Sequence, residues 1–556
     1  MQNQYKAMGL IDFISKKKVS ELQAQVTSLQ AQVDKAVTAN YTYPYYNSPI
    51  IREYYTGEKT PGEMGAAKDY MLEYNRLRAR SWQSYLESEI TQAIFNKYCL
   101  WVIGSGLYVQ SEPEQSVLQQ EGIPTIAPDF VNDVNTRFNL WVSSRHSDSA
   151  GMFPVNHLAV EAFKNAIIGG DVLLVNYPET GNVNQQIIDG VHVQSPDVNS
   201  DYWKAALERG NRIDYGVEIG VNNEHVAYYV RGANNVFYRV ERIGNNSGRV
   251  MAQLIYGSRY RLDNVRGLPL IAAVLETIKK LERYKEAAVG GEEERQKIAF
   301  SIEHTADSTG ENPLLSKMAQ AKALGMQEAP ETKSVTEYEA AATKVATTTG
   351  KQAVNMPIGS KLEMHASAMT GGFKDFYTTN IQFVCAALTI PYEVALSMYN
   401  SNYSASRAAI KEWEHTLKTK RQNFAEQYYQ PFYNLWLEMQ IVSGKINAPG
   451  YLKAVMDKNI MAVEAYQSAK WMGANVPHID PLKEVMAERL KLGDDFTPLT
   501  DYDQASERLA SGDFNQNITK IKKQKEHIKK ELGDLQPKPE PKKQVTQELI
   551  NNLLFQ

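Results

Sequence analysis

A chain of 556 residues with 43% apolar and 22% charged residues is long enough for several domains and a sizeable core. Its formal net charge of −4 excludes a polycationic surface that gathers nucleic acid indiscriminately, so any DNA contact must be local or weak. Cys99 and Cys385, the two cysteines, lie in apolar stretches and are expected as buried free thiols, which fits a reducing compartment.

No apolar run reaches the roughly 18 residues of a membrane span, and no secretory signal pattern opens the sequence. Gly9 follows an internal Met8, which is the wrong place for myristoylation. The first patterned element is "VSELQAQVTSLQAQVDKAV". Val19, Leu22, Val26, Leu29 and Val33 alternate spacings of three and four, an a/d seam. That seam packs either on its own subunit or on a neighbour. "NYTYPYYNSPIIREYYTGEKTPGEMG" is rich in Tyr, Pro and Gly and predicts an extended arm.

Helical periodicity follows through "LEYNRLRARSWQSYLESEITQAIFNKYCLWVIGSG", ending at Gly104 and Gly106. From Gly169 to Asn264 the pattern turns strand-like: "DVLLVNY", "IIDGVHV", "VAYYVRG", "NVFYRVERI" and "MAQLIYG" are short β-branched or aromatic runs between turn residues. "RGLPLIAAVLETIKKLERYKEAAV" predicts a helix with Pro269 near its start and a stripe of Ile271, Val274, Ile278 and Leu281, widened by Leu275. Residues 305–360 hold few large apolar side chains and are expected at the periphery. "GGFKDFYTTNIQFVCAAL" predicts a helix with Phe373, Phe376, Val384 and Leu388 inward, and "IPYEVALS" a turn. A long helix is expected from Ala405. At 100° per residue, Ile410, Trp413, Leu417, Phe424 and Tyr428 share one face, with Arg407, Lys411, Lys418 and Arg421 beside it and Glu414 among them. A helical region runs to about Gly533, then the linker "QPKPEPKKQ" and the amphipathic "VTQELINNLLFQ".

Catalytic spacings are missing. "VATTTGKQ" begins with Val and ends with Gln, where a phosphate-binding loop needs Gly and Ser or Thr. The nine histidines form no HExxH, and no cysteine pair has zinc spacing. Neither "SASR" nor "GSG" is a nucleophile elbow. Acidic pairs such as Glu412 and Glu414 read as a solvated helix face. No catalytic residue, metal ligand or cofactor is therefore expected.

The chain resembles the lambda-type family of tailed-phage portal proteins over most of its length. An Arg-rich early helix running into a glycine turn (76–110) is similar to that family's, as is the Gly-acidic strand start "GGDVLLVNY". The same holds for the Gly-Val-Glu strand with its Ala-Tyr partner (213–230) and for the Arg-Gly-x-Pro helix start "RLDNVRGLP". "NYSASRAA" and "HIDPLKEVMAERLKLG" follow in family order. Two positions depart: "YLESE" stands where the family has Asn-Asn-Pro, and Asn264-Val265 stand where a Gln precedes Arg-Gly.

The resemblance implies an α+β, predominantly helical fold with a mixed α/β wing, helical stem, small clip and helical crown. It implies a non-enzymatic ring, usually of twelve copies, at one capsid vertex, through which double-stranded DNA is packaged and ejected. Implied partners are the large terminase, head-completion or adaptor proteins, and major capsid and scaffold proteins, in a virion assembled in the host cytoplasm. By order, residues 1–40 are the heptad segment, 41–267 the wing, 268–303 and 371–396 the stem helices, and 304–370 the clip with its connections. Residues 397–404 are the tunnel loop, 405–450 a long wing helix, 451–533 the crown, and 534–556 the linker and tail. The implied channel residues are Ser397, Met398, Tyr399, Asn400, Tyr403, Arg407 and Lys411, with a basic crown run of Lys520, Lys522, Lys523 and Lys525. Ile518, Ile521, Ile528 and Leu532 are expected to give that run a buried side. A metal-dependent DNA-processing nuclease and a monomeric capsid-associated adaptor are the alternatives.

Scale constrains the channel. Neutralising about 6–10 phosphates already makes binding tight and steeply salt-dependent. A full cationic stripe repeated around a ring would hold DNA still. At most one or two of these cations are expected in the bore, offset by acids such as Glu414. The loop tyrosines either brush the duplex or pack on a neighbouring wing. The lysines of the crown run either meet packaged DNA or are simply solvated. The two stem stripes exceed what one subunit covers, and closed symmetry would hide that exposure.

Overall fold

The computed structural model describes residues 74–179, 181–245, 247–302, 343–346, 352–355, 369–398, 403–473, 481–493, 499–510 and 514–532. The expected heptad helix, the arm and the Pro/Lys linker with the segment after it lie outside the described residues.

The Arg-rich stretch forms two helices, α1 (Tyr74–Glu87) and α2 (Glu89–Val102), with Ser88 between them. Ser88 caps α2 by accepting from the Thr91 N–H, and its hydroxyl donates to Glu282 at 2.7 Å. Strand β1 (Tyr108–Ser111), α3 (Gln115–Gln120) and α4 (Phe130–Val142) follow. Then α5 (Val155–Gly169) runs into β2 (Asp171–Glu179) through Gly170 at φ 107°. Strand β2 separates two cores by its period of two. Val172 and Leu174 join the main helical core, while Leu173 and Val175 join a smaller one with Val193, Val217, Ile219 and Tyr228. Such a strand reads as a continuous apolar run, as "DVLLVNY" does.

The strand-like region holds β3 (Asn182–Asp189), α6 (Asp201–Glu208), β4 (Arg212–Asp214), β5 (Val217–Ile219), β6 (His225–Arg231), β7 (Phe237–Glu241) and β8 (Ala252–Tyr256). They form two sheets, ordered β3-β2-β8 and β4-β5-β6-β7, and every pairing within both is antiparallel.

Helix α7 (Leu275–Lys297) starts later than its Pro269 suggests. The Leu268 N–H is bound to the Ser258 carbonyl and the Leu270 N–H to the Ile167 carbonyl, so this stretch is tied to β8's flank and to α5 before any helix can begin. Nor does α7 reach residue 303, because β9 (Ile298–Ile302) succeeds it directly. Within the segment expected at the periphery, β10 (Thr343–Ala346) and β11 (Gln352–Asn355) complete a small sheet ordered β10-β11-β9.

Helix α8 (Met369–Ala387) packs along α7. Tyr284 of α7 stacks on Phe373 at 5.2 Å and meets Phe376 edge-on at 4.9 Å. Val384 and Leu388 are buried as expected, but Phe376 is 53% exposed. The "IPYEVALS" turn is a short helix, α9 (Tyr392–Leu396), ending at Ser397 in the left-handed region. Helix α10 (Tyr403–Gln427) breaks at Tyr428 before α11 (Tyr429–Val442). The Tyr428 hydroxyl, fully buried, bonds Gln185 Oε1 at 2.8 Å and the Val155 carbonyl at 3.2 Å, fixing that break against α5 and β3.

Residues after Tyr451 are not all helical. Between α12 (Tyr451–Met456), α13 (Ile460–Gln467) and the last helices lies β12 (Ala469–Met472), antiparallel to β1. Trp471 of β12 packs on Phe138, Tyr429 and Tyr433. An aromatic cluster that needs a fourth wall thus overrides the local helical pattern. The chain then forms α14 (Pro481–Leu492), α15 (Tyr502–Ala510) and α16 (Phe514–Leu532).

Candidate nucleic-acid interface

The frame under the candidate interface is bolted by a buried charge cluster. Asp171, at the start of β2, is fully buried. Arg266 grips it with two bonds, Nε to Oδ2 at 2.6 Å and Nη2 to Oδ1 at 2.7 Å. Arg78 of α1 adds a third at 2.7 Å and also reaches Asp189 and the Tyr74 hydroxyl. The Gly267 N–H donates to Asp171 Oδ2 at 2.9 Å. Burial opposes ionisation of Asp171, yet the two guanidiniums hold its carboxyl below the usual carboxylate range. A buried carboxylate this well paired is satisfied, as such groups must be.

Backbone at the cluster comes closer than side chains allow. A Cβ on Gly267 would lie 2.1 Å from the Gly170 carbonyl oxygen, and one on Gly190 would lie 2.1 Å from Asp171 Oδ1. Three segments that carried the family resemblance, the Arg-rich helix, the Gly-acidic strand start and Arg-Gly-x-Pro, therefore meet at one point. A second node explains the Gly-Val-Glu strand. Glu218 is buried and accepts from Arg209 at 3.0 Å, Asn211 at 2.7 Å, Tyr229 at 2.9 Å and Arg239 at 2.8 Å. Burial works against its charge, but these donors bring its pKa down to about 2.

Helix α10 lies on this frame by the expected face: Trp413, Leu417, Phe424 and Tyr428 are buried. Its expected cationic stripe divides. Arg421 turns inward and donates to the Val102 and Trp101 carbonyls, both at 2.9 Å, at the C-terminal end of α2. Orphan carbonyls and the negative pole of α2 make that a natural seat for a guanidinium. Burial lowers the Arg421 pKa. Arg421 is thus a structural cap rather than a member of an outward stripe. Lys420, absent from the expected stripe, sits 5.2 Å from the centre of the Tyr98 ring, and burial lowers its pKa also.

The cations that face outward are partly neutralised by two carboxylates. Lys411 and Lys418 share Glu414 at 3.1 and 3.3 Å, and Arg407 meets Glu484 of α14 at 3.6 Å. Burial disfavours the charged form of Glu414, but its bonds and attraction to the two lysines hold its pKa down. These three cations and two carboxylates leave one net positive charge on the face.

The other expected residues are only partly within view. Ser397 closes α9 at φ 55°, and Met398 follows, 52% exposed. Tyr399 and Asn400 lie outside the described residues, and Tyr403 is described as the first backbone residue of α10 without its side chain. Lys520, Lys522, Lys523 and Lys525 are exposed on α16. Its expected buried side is not found: Ile518, Ile521 and Ile528 remain 48, 47 and 40% exposed, because α15 packs only near the start of α16. Among the described residues no group of three or more His, Cys, Asp or Glu is placed to hold a metal ion. No helix among them is long and apolar enough to cross a membrane.

The geometry defines an α+β scaffold, locked by buried ion clusters, that presents a helix of compensated cations. A model of the lambda family of phage portal proteins matches residues 55–421, and the chain belongs to that family. No match was found among curated proteins. Among solved structures, the neck of a native GTA particle computed with C12 symmetry aligns at 13% identity. That alignment covers 71% of this chain and 98% of that chain with a TM-score of 0.31.

Proposed function

We propose that copies of this chain close into a ring, with the copy number usual in the family it resembles, at one vertex of a phage capsid. The ring is a channel through which double-stranded DNA is packaged and later ejected. It is assembled in the host cytoplasm, docks the large terminase during filling and head-completion proteins afterwards, and meets capsid and scaffold proteins around its rim. It performs no catalysis. The observation that carries this reading is the family match over residues 55–421. Uncovered apolar residues on the paired helices support it: Phe376 and Phe383 of α8 and Val289 of α7 are 53, 69 and 53% exposed. Large apolar residues left open on a packed helix pair mark an interface, and a closed ring covers them.

In this reading α7 and α8 are the stem, the β9-β10-β11 sheet belongs to the clip, and residues 397–404 with the start of α10 approach the bore. Arg407 and Lys411 then touch DNA as compensated cations, which keeps each contact weak. Negative-stain imaging of the purified chain tests the reading. Rings with a central hole are expected. Solitary particles under every assembly condition would overturn it, as would Mg²⁺-dependent cleavage of plasmid DNA by the protein.

A further inference from the structure

A cavity of about 300 Å³ opens beside the β4–β7 sheet, between the turn after β5 and the loop after β8. Arg212, Asn223 and His225 line it from the sheet side, and Arg259, Leu262 and Val265 from the loop. Both walls are fixed by their own bonds. In the turn, the Gly220 N–H donates to the Glu224 carbonyl at 2.9 Å and the Asn223 N–H to the Gly220 carbonyl at 3.1 Å. In the loop, the buried Asn264 side chain accepts from the Arg261 N–H at 2.8 Å, and the Leu268 N–H closes the base on the Ser258 carbonyl at 2.9 Å.

The two lining guanidiniums are held yet keep donors in reserve. Arg212 donates Nε to Asp214 at 3.0 Å and Nη2 to Asn223 at 2.8 Å. Arg259 donates Nε and Nη2 to the Asn264 and Leu262 carbonyls and lies 5.2 Å from the centre of the Tyr256 ring. Nη1 of each has no partner among the described residues. Arg212 is paired with Asp214 and Arg261 with Asp263, but among the described residues no carboxylate pairs with Arg259. Arg242 adds a positive charge near His225, and Glu224, folded over Gly220, a negative one. Four arginines against three acids leave one positive charge in excess. His225 adds none: burial and the guanidiniums of Arg259, Arg242 and Arg266 push its pKa down to about 4. Beside this charge stand two bare aliphatic side chains. Leu262, on the fixed loop, is 94% exposed, and Val221, in the turn, 79%.

We infer that the cavity and its rim dock a segment of another protein in which a carboxylate side chain is flanked by aliphatic ones. The carboxylate meets Arg259 and Arg212 through their spare Nη1 donors, and its neighbours cover Leu262 and Val221. A planar guanidinium already held in place spends little entropy on such a bond. Aliphatic surface beside a polar anchor is the make-up of a protein interface. DNA fits worse, because one excess charge neutralises little phosphate and a phosphate backbone leaves both aliphatic side chains wet. The site uses no residue of α10 or of the α7–α8 pair, so it does not depend on the channel reading.

The test titrates the full chain into three fluorescein-labelled hexapeptides, followed by anisotropy. One alternates leucine and glutamate, one has glutamine for every glutamate, and one has serine for every leucine. The leucine–glutamate peptide alone is expected to bind. Arg259→Gln should weaken it at least about tenfold by removing the charge partner, and Leu262→Ser about tenfold by removing a covered leucine. Leu262→Ser guards against misfolding, since a side chain 94% exposed contributes little to the fold. Equal binding of all three peptides, binding of none, or binding unchanged by Leu262→Ser would overturn the inference. A short labelled DNA duplex that binds the parent and is lost in Arg259→Gln would give the site to nucleic acid instead. A fall in assembled mass of Leu262→Ser by light scattering would give it to a second copy, and either result overturns the inference.

Discussion

Arg266 holds Asp171 in a two-point grip, Nε at 2.6 Å from one carboxylate oxygen and Nη2 at 2.7 Å from the other, with both side chains withdrawn from solvent. The same Arg266 donates to the Gly190, Val193 and Tyr215 carbonyls, so one guanidinium joins β2, the chain after β3 and the approach to α7. Removing one partner of a buried pair leaves the other charged and dry. Asp171→Asn should lower unfolding free energy by about 3–5 kcal/mol. Arg266→Lys should also destabilise, because an ammonium cannot supply the planar fork. Urea denaturation followed by tryptophan fluorescence measures both. An Arg266→Lys variant as stable as the parent would show that the grip does not hold the frame.

The glycines around that grip make a separate prediction. Gly190→Ala and Gly267→Ala each force a Cβ against an atom about 2.1 Å away, and for Gly267 that atom is backbone. Neither Asp171 nor Gly170 has room to retreat inside the cluster. Overpacking of this kind costs about 1–3 kcal/mol. Gly290→Ala, inside α7 with open space around it and no positive φ, is the control. The melting midpoint should fall furthest for Gly267→Ala.

Acid should unfold the β4–β7 module through Glu218. Its folded pKa is lowered to about 2, against about 4.3 for an unfolded glutamate. The folded state therefore binds fewer protons in that interval. Glu218's contribution is full above the unfolded value and disappears as pH falls toward 2. Glu218→Gln should lower stability near neutrality and flatten the loss between about pH 4.3 and 2. Stability curves from pH 7 to pH 2 for both proteins decide this, and parallel curves would contradict it.

The sequence made these nodes visible only indirectly. Strand runs from "DVLLVNY" to "MAQLIYG" and the buried face of α10 follow from periodicity, because burial of a stripe is a local demand. The start of α7 does not, since its delay comes from backbone bonds to Ser258 and Ile167, far away in the chain. Arg421 belongs to the cationic stripe by helical angle, and only the carbonyls of Trp101 and Val102 turn it inward. Asp171 and Arg266 had a weak signal in the glycines flanking them, which mark close backbone approach, whereas Arg78 had none. Strand β12 had none, because its pairing with β1 joins segments hundreds of residues apart. Phe376 fails the inward pattern for a different reason: a single chain lacks the surface to cover both sides of α8, and Phe383, outside that pattern, is left open as well.

That exposure predicts a separation of folding from assembly. Phe383→Asp replaces an apolar side chain that is 69% exposed, so helix content and melting should change little. Surface substitutions of this kind usually stay within about 0.5 kcal/mol. Buried in an interface between copies, the same carboxylate would be desolvated without a partner. Light scattering should then show the mass of one chain while circular dichroism remains that of the parent. Normal rings from Phe383→Asp would remove α8 from the interface.

The compensated face of α10 makes the last prediction. Glu414 restrains Lys411 and Lys418, both half-exposed, and contributes little to stability because such surface pairs are worth about 0–1 kcal/mol. Glu414→Gln should therefore leave the fold intact while releasing positive charge in every subunit. In a ring around DNA that change repeats with the symmetry, and each added phosphate contact steepens the fall of log K with log salt by about 0.9. DNA retained by assembled rings, measured against salt, should show a steeper slope and tighter binding for Glu414→Gln. Lys411→Ala should move both the other way. Arg421→Ala should differ in kind: it exposes the Trp101 and Val102 carbonyls, so stability falls. An unchanged slope in both α10 surface variants would mean that this face of the helix does not meet DNA.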